Sequence, residues 1–244
     1  MQHHVQQAQP AGVPPLALTG ERTLPDVPLE NYWFRRHLAV YQWIAERCAG
    51  LDVVDMACGE GYGVDVLARR ARRVTGVDAN PEAHDHARLK YTRPGVRFVR
   101  DLVQSYDEPC DAIVFLQTIE HVDEPEALLE RFRKLAPVVY VSTPNRLTLA
   151  PPGAEKSDNP WHLREYTAEQ FRALTGGAEI FGLFHARRLR AHELALRAGW
   201  DQVHPALGIT DSFYGWFTPS ITARDFALRP GPLDSALDFV AVLR

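Results

Sequence analysis

The chain has 244 residues, of which 45% are hydrophobic and 24% are charged, and its formal net charge is −4. This length predicts one large domain with an elaboration, and the composition excludes a disordered or fibrous protein. A protein that binds nucleic acid by neutralising phosphates normally carries a basic excess, so the slight acidic excess indicates no nucleic-acid partner.

The N-terminal segment is rich in Gln, His and Pro and has neither the cationic start nor the apolar core of a signal peptide. We expect residues 1–15 to be disordered and residues 16–244 to form a single domain. The longest apolar runs, AIVFL and APVVYV, are far shorter than the roughly 20 residues that span a bilayer. Three scattered cysteines suit a reducing cytosol. These features together predict a cytoplasmic protein that does not insert into membranes.

Helical and strand patterns alternate from residue 38 onwards. Helices are predicted over 38–47, 63–73, 81–91, 123–135, 167–174 and 186–199, and strands over 51–56, 74–78, 97–99, 111–117, 137–144, 178–184 and 237–243. The first five strands are apolar throughout, which is typical of a parallel sheet covered by helices on both faces. Residues 145–161 form a long loop, and residues 200–232 are irregular and rich in aromatic side chains. The pattern predicts a doubly wound α/β fold.

A glycine-rich turn follows the first predicted strand and points to a nucleotide-type ligand. The strand ends at Asp55, with Gly59 and Gly61 behind it, and the second strand ends at Asp78. Ligands of open α/β sheets bind at the carboxyl ends of the strands, and glycines let the backbone approach a ligand closely. A carboxylate at the end of the second strand can accept two hydrogen bonds from a ribose diol.

Two cofactors compete for this turn. An NAD site needs the pattern G-x-G-x-x-G, whose last position is Val64 in this chain. A site for S-adenosylmethionine (SAM) needs an acidic residue that opens a D-x-G-x-G-x-G run. That run is present as Asp55, Ala57, Gly59 and Gly61, with alanine in the first glycine position. The pattern favours SAM.

Several motifs in their correct order carry a family resemblance. VVDMACGEGYG and VTGVD resemble motif I and the ribose-binding acid of the class I SAM-dependent methyltransferases. DAIVFLQTIEHVDEP, and VSTPNR with NPWHLREYTAEQF, resemble the fourth- and fifth-strand regions of the branch that contains the ubiquinone-biosynthesis O-methyltransferases. LTGERTLPDVPLENYWFRRH and LDFVAV also resemble actinobacterial sugar O-methyltransferases, such as those of methylglucose polysaccharide synthesis. The resemblance implies a Rossmann-like sheet of seven strands, mostly parallel with an antiparallel last strand, and a substrate lid over about 186–232.

The resemblance also implies a set of cofactor-binding residues. These are Asp55, Ala57, Gly59 and Gly61 at the methionine and ribose end, Asp78 at the ribose hydroxyls, Asp101 with its neighbour Leu102 at the adenine, and Gln117 beside the sulfonium. Arg36, with Arg35 in reserve, would bind the SAM carboxylate, because an Arg fork matches a carboxylate. Two alternatives remain open: Asp101 caps a turn, and the arginines lie on the solvated face of an N-terminal helix.

Candidate catalytic residues follow the fourth strand. An alcohol nucleophile needs a base, and the ordinary pKa of histidine suits His121 for that role, with Glu120 orienting it or binding an ion. In the ubiquinone branch the related E-x-x-E-H run binds a divalent metal. Gln117 replaces the first carboxylate here, which weakens a hard-cation site, so a divalent metal stays an open alternative and we assign no residue as its ligand. His162 is a further catalytic candidate, His185 a weaker one, and a helix cap with a packed histidine is the structural alternative for Glu120 and His121.

The sequence therefore predicts an enzyme that moves a methyl group from SAM to a hydroxyl oxygen of a small molecule, with a saccharide as the favoured acceptor and S-adenosylhomocysteine as product. The rivals are an N- or C-methyltransferase on a natural-product or lipid-like acceptor, a non-catalytic SAM-binding scaffold and an NAD-dependent enzyme. The aromatic side chains within 200–226 would stack on the acceptor or form a homodimer interface.

Overall fold

The computed structural model describes residues 5–20, 22–203 and 210–244. Its strands are β1 (Asp52–Met56), β2 (Arg73–Val77), β3 (Val96–Val99), β4 (Ala112–Leu116), β5 (Val138–Pro144), β6 (Glu179–His185), β7 (Phe226–Arg229) and β8 (Asp238–Leu243). They form one sheet in the order β3-β2-β1-β4-β5-β8-β6-β7. The five strands from β3 to β5 in that order are parallel, and β8 pairs antiparallel with both β5 and β6.

The helices are α1 (Asn31–Arg47), α2 (Tyr62–Leu67), α3 (Pro81–Lys90), α4 (Pro125–Leu135), α5 (Arg146–Leu149), α6 (Ala168–Leu174), α7 (Arg187–Arg197), α8 (Trp200–Val203) and α9 (Thr210–Ser220). Proline occupies the first position of α3 and α4, where its missing N–H costs nothing. Thr167 is the N-cap of α6, where it forms a capping box with Gln170.

The sheet is buried on both faces, as the apolar strands predict. Val53 and Val114 pack with α1 and α2 on one face, whereas Val54 and Ile113 pack with α4 and α6 on the other. This alternation follows from the two-residue period of a strand. The layers confirm the predicted doubly wound α/β fold with an antiparallel last strand.

The predicted count of seven strands is wrong. The strand that was not predicted is β7, which lies at the sheet edge and pairs antiparallel with β6. Its four residues, FALR, are too short for a periodic signal, and they become a strand through their pairing with β6. The helix predicted at 38–47 also begins earlier, at Asn31.

Residues 5–20 and 22–27 pack against α3 and the glycine loop, and we call this segment the N-terminal clasp. Gln6 is 4% exposed, and its side chain donates to the Pro25 carbonyl and to Glu60 and accepts from Leu16 N–H. Leu16, Leu24 and Val27 form a small apolar cluster. The disorder predicted up to residue 15 therefore needs correction from residue 5 onwards. Composition suggested disorder, but the folded domain supplies hydrogen-bond partners to these polar residues.

The predicted lid over about 186–232 contains α7, α8, α9 and β7. Its residues 204–209 lie outside the described residues, as do the side chains of Phe213 and Tyr214 in the aromatic segment. A role as a lid stays a prediction. Within the described part of the chain, no helix has both the length and the apolar character needed to cross a bilayer.

Candidate active site

A cavity of about 470 Å³ opens where β1, β2 and β4 end. This volume is within the usual range for small-molecule sites, which is about 300–1,000 Å³. The predicted site residues that line it are Ala57, Gly59, Asp78, Gln117, Glu120, His121 and His162. The remaining predicted residues are not among the described residues that line it: Arg36, Asp55, Gly61, Asp101 and Leu102.

The glycine loop turns through left-handed backbone at Ala57, Gly59 and Gly61, with φ of 58°, 54° and 96°. A Cβ on Gly61 would lie 2.8 Å from the Cβ of Ala87, so this glycine lets α2 begin against α3. At Gly59 the nearest atom to such a Cβ would be the Cβ of Arg22, at 3.9 Å. Gly59 is therefore the glycine that leaves the loop open towards the cavity, whereas Gly61 serves packing.

Asp55 lies beneath the loop and holds it to α1. It is fully buried, and both carboxylate oxygens accept from the Tyr41 hydroxyl, at 3.2 and 3.3 Å. Burial raises the pKa of Asp55 to about 8. Tyr41 lines the cavity, and a Cβ on Gly63 would lie 2.2 Å from its Cζ, so glycine at 63 makes room for the ring. Asp55 thus supports the cavity wall from behind.

Asp78 places a carboxylate on the cavity directly after β2. One oxygen accepts from Gly59 N–H at 2.7 Å and the other from Asn80 N–H at 2.9 Å. A carboxylate oxygen accepts more than one hydrogen bond, so Asp78 organises the loop and retains capacity for a ligand diol. Asp101 accepts from Leu102 N–H at 2.8 Å, the local turn bond that the sequence left open as an alternative.

The structure corrects the prediction for Arg36. Its Nε and Nη2 donate to the two oxygens of Asp238 at 2.6 and 2.5 Å, and Nη2 also donates to the Leu237 carbonyl. Arg36 is 4% exposed, so its guanidinium is paired in the protein interior and not on the cavity. The reserve candidate Arg35 bonds to Asn31 on its own helix. The sequence could not reveal Asp238 as the partner, because it lies 202 positions along the chain.

One face of α1 contributes cavity residues that the sequence analysis missed. Trp33, His37 and Tyr41 follow one another at intervals of four and all line the cavity. This spacing is the helical signal that could have identified them. The Thr23 hydroxyl lies 3.1 Å from His37 Nδ1 and joins the clasp to this face. Burial lowers the pKa of His37 to about 4, so its imidazole is neutral near pH 7.

The two catalytic histidine candidates differ in their hydrogen bonds. His121 Nδ1 lies 2.6 Å from the Trp161 carbonyl, which only accepts, so the hydrogen is on Nδ1 and the lone pair of the neutral ring is on Nε2. His162 Nδ1 lies 2.6 Å from Glu165 Oε1, and its Nε2 accepts from the Asn159 amide at 3.0 Å. The Trp161 carbonyl therefore orients the His121 ring, and the His162 ring is held at both nitrogens.

Glu120 is buried directly beside His121. It is 1% exposed, accepts from the Thr143 hydroxyl at 3.0 Å, and burial raises its pKa to about 8. Glu120, His121 and His162 each offer one ligand atom, and these atoms lie within 4.8 Å of one another. Two imidazoles and a carboxylate suit a transition metal better than Mg²⁺. An ion there would require Glu120 to lose its proton and His162 to release Asn159.

Comparison with known proteins relates the chain to one protein family. A family model described as a methyltransferase domain matches residues 3–201. A probable S-adenosylmethionine-dependent methyltransferase of Mycolicibacterium smegmatis is 39% identical over 246 residues, which cover 93% of this chain and 94% of that protein. A ubiquinone biosynthesis O-methyltransferase of Xylella fastidiosa is 34% identical over 111 residues, 42% of this chain and 45% of that protein. The crystal structure of the N-methyltransferase NodS from Bradyrhizobium japonicum covers 88% of this chain and 96% of its own, with a TM-score of 0.51 at 11% identity, which is a likeness of fold alone.

Proposed function

Because the chain belongs to the SAM-dependent methyltransferase family, we propose that it methylates a hydroxyl oxygen of a small molecule, with a saccharide as the acceptor class. The observation that carries this proposal is that His121, whose Nδ1 lies 2.6 Å from the Trp161 carbonyl, lines the same cavity as Gly59 and Asp78.

The residues of the cavity fit SAM, which supplies an electrophilic methyl group on a sulfonium. Gly59 leaves the loop open on the cavity side, and the carboxylate of Asp78 faces the same space. We assign Asp78 to the ribose hydroxyls, and the loop from Ala57 to Gly59 to the methionine end. Gln117, whose amide donates to the Ser142 hydroxyl at 3.1 Å, also lines the cavity.

His121 is the proposed general base. SAM would supply the methyl group to the acceptor oxygen and leave as S-adenosylhomocysteine, and His121 would take the proton that the acceptor hydroxyl gives up. The hydrogen bond from Nδ1 to the Trp161 carbonyl stabilises the imidazolium that results. Positioning of the two substrates supplies the rest of the rate enhancement, because an in-line displacement requires the nucleophile, the carbon and the sulfur to be aligned.

Glu120 and His162 are proposed to position the base and the acceptor. The Glu120 carbonyl accepts from Leu163 N–H at 2.9 Å and from Arg164 N–H at 3.2 Å, which joins the His121 turn to the loop that carries His162. Burial alone raises the pKa of Glu165, but the hydrogen bonds from Ser157 and His162 together lower it below its ordinary value. Glu165 is therefore a carboxylate that fixes the His162 ring.

The lining of the cavity supports a saccharide as the acceptor class. Trp33 is 38% exposed and presents an indole to the cavity, and aromatic faces stack well on sugar rings. Thr23, Ser157 and Asn159 line the same space with hydrogen-bonding groups.

We also propose a cytoplasmic location, which the free thiols of Cys48, Cys58 and Cys110 suit. Homodimerisation through the aromatic segment stays a prediction.

Calorimetric titration of S-adenosylhomocysteine and of NADH tests the cofactor. We expect wild-type protein to bind S-adenosylhomocysteine alone, and Asp78→Asn to weaken that binding. Incubation with SAM and a panel of sugars, followed by NMR of the product, then identifies the methylated atom. A methyl group on nitrogen or carbon would overturn the O-methyl assignment, and turnover of lipid-like acceptors alone would overturn the saccharide class.

A further inference from the structure

Glu30 is a half-buried acid on the cavity lining that has no part in the proposed methyl transfer. Burial raises its pKa, because removing a carboxylate from water disfavours the charged form. In the part of the chain that the structure describes, its carboxylate takes part in no hydrogen bond and no ion pair. Hydrogen-bond donors would stabilise such a carboxylate, so its place on the cavity points to a ligand that carries donors.

The basic side chains near Glu30 on α1 do not balance its charge. Arg36 pairs with Asp238 in the interior, and Arg35 bonds within its own helix. His37 lines the cavity but is neutral near pH 7, because burial lowers its pKa to about 4. The carboxylate of Glu30 is therefore left for a ligand.

Glu30 begins a face of cavity residues that runs along α1. It precedes the helix with helical backbone, and the residues of this face follow at intervals of three and four: Glu30, Trp33, His37 and Tyr41. Tyr41 marks the end at the glycine loop, because it bonds to Asp55. An α-helix rises about 1.5 Å per residue, so Glu30 lies roughly 16 Å along the axis from Tyr41. Glu30 is thus at the opposite end of this face from the loop.

The beginning of α1 is joined to α9, which belongs to the predicted lid. The Asn31 side-chain amide donates to the carbonyls of Thr218 and Ile221 at 2.7 and 3.1 Å. The residues that we assign to SAM, Gly59 and Asp78, instead follow the strands β1 and β2. The beginning of α1 therefore borders the part of the cavity that remains for the acceptor.

Trp33 presents an ordered aromatic surface one turn along the helix from Glu30. Its ring packs edge-to-face on Tyr32 with centroids 5.4 Å apart, and the Arg36 guanidinium lies 4.8 Å from its ring centroid. Arg36 is itself fixed by Asp238, so the indole keeps its orientation although it is exposed. An aromatic ring beside a carboxylate suits a sugar, whose apolar face stacks while its hydroxyls donate hydrogen bonds.

We propose that Glu30 and Trp33 form the acceptor subsite, in which the indole stacks on a sugar ring and the Glu30 carboxylate accepts hydrogen bonds from two neighbouring hydroxyls. This inference rests on the proposed saccharide acceptor. The preferred acceptor is then a neutral sugar with a vicinal diol. A sugar that carries a carboxylate is disfavoured, because two carboxylates at close range repel each other. Glu30 is thereby a specificity-determining residue.

The test measures methyl transfer from SAM to the methyl α-glycosides of D-glucose, D-mannose and D-galactose, and to the matching uronosides, in which a carboxylate replaces the hydroxymethyl group. The proteins are wild type, Glu30→Gln and, as a matched control, Glu46→Gln, an exposed acid at the other end of α1. We expect Glu30→Gln to raise KM for the best neutral glycoside roughly 10- to 100-fold, the range for a hydrogen bond to a charged group. Its affinity for S-adenosylhomocysteine should be unchanged, and Glu46→Gln should match wild type.

The uronosides separate the effect of charge from a structural defect. Wild type should methylate them with a kcat/KM roughly 10-fold or more below that of the neutral glycosides, because Glu30 repels their carboxylate. Glu30→Gln should narrow this difference, since the amide carries no charge. A structural defect would instead lower kcat/KM for both kinds of sugar alike.

The outcomes separate this inference from the proposed function. An unchanged KM in Glu30→Gln, an equal loss for glycosides and uronosides, or weaker binding of S-adenosylhomocysteine would overturn the inference. A wild type that binds S-adenosylhomocysteine but methylates none of the sugars would overturn the saccharide proposal, and this inference with it. Should Glu30→Gln not fold, wild type decides: equal kcat/KM for glycosides and uronosides overturns the inference, and a preference for the neutral sugars that weakens with added salt supports it.

Discussion

Arg36 on α1 and Asp238 on β8 form a bidentate ion pair in the interior of the protein, with an Nε–Oδ2 distance of 2.6 Å. Asp238 begins the strand that lies between β5 and β6, and its side chain is fully buried. The pair therefore joins the helix that forms a wall of the cavity to the centre of the antiparallel half of the sheet. We propose that the pair has a structural role and that other residues bind the cofactor.

Arg36→Met should destabilise the protein by about 3–5 kcal/mol, because the carboxylate of Asp238 would stay buried without its partner. The double variant Arg36→Met/Asp238→Leu should recover much of that loss, since it buries no charge. Denaturant unfolding measures both, and calorimetry should find S-adenosylhomocysteine affinity unchanged in the folded double variant. A variant that keeps its stability and loses cofactor affinity would restore Arg36 as a cofactor ligand.

His121→Ala should lower kcat by about 100- to 10,000-fold, the usual contribution of a general base, with the dissociation constant of S-adenosylhomocysteine unchanged. His162→Ala should lower kcat less, because both of its ring nitrogens are already bonded. His185→Ala is the matched control, since His185 bonds to Tyr32 and Glu193 away from the cavity. Steady-state kinetics with the identified acceptor measure these effects. Full turnover by His121→Ala would exclude His121 as the general base.

Ala57→Gly should raise the free energy of unfolding by about 1 kcal/mol, because Ala57 has a φ of 58° and left-handed backbone is costly for a residue with a Cβ. Cofactor affinity should be retained. Ala191→Gly, at an exposed site within α7, should instead lower the free energy of unfolding by about 1 kcal/mol. In denaturant unfolding, the midpoints of the two variants should shift in opposite directions from that of wild type. A destabilised Ala57→Gly variant would contradict the inference that Ala57 is strained.

Asp55 predicts a pH dependence of stability. Burial raises its pKa from 3.8 to about 8, so between these values the folded protein holds a proton that the unfolded chain has lost. Stability from this group is therefore present at low pH and falls as pH rises through that window. Asp55→Asn carries no such proton, so wild type should lose stability relative to this variant between about pH 5 and about pH 8. Unfolding free energies at several pH values test this, and parallel curves for the two proteins would refute it.

The sequence alone was enough to predict that several site residues meet at one cavity. Gly59, Asp78 and His121 each follow a strand of the parallel part of the sheet, and the carboxyl ends of such strands meet at one edge. Helix positions were also readable, because a capping residue such as Thr167 acts on its own turn. Trp33 and His37 were missed, although their spacing on α1 carried the signal.

What the sequence by itself determined is local: the apolar strands, the left-handed glycine turn, the family motifs and the residues that directly follow each strand. Only the tertiary structure decided that Arg36 pairs with Asp238, that Asp55 lies behind Tyr41, that β7 joins the sheet, and that the N-terminal clasp covers the loop beside Gly59. The physical reason is that periodicity and capping depend on neighbours within a few residues. The partner of a buried charge or of a polar N-terminal segment is instead set by which distant residues the completed fold brings within hydrogen-bond distance.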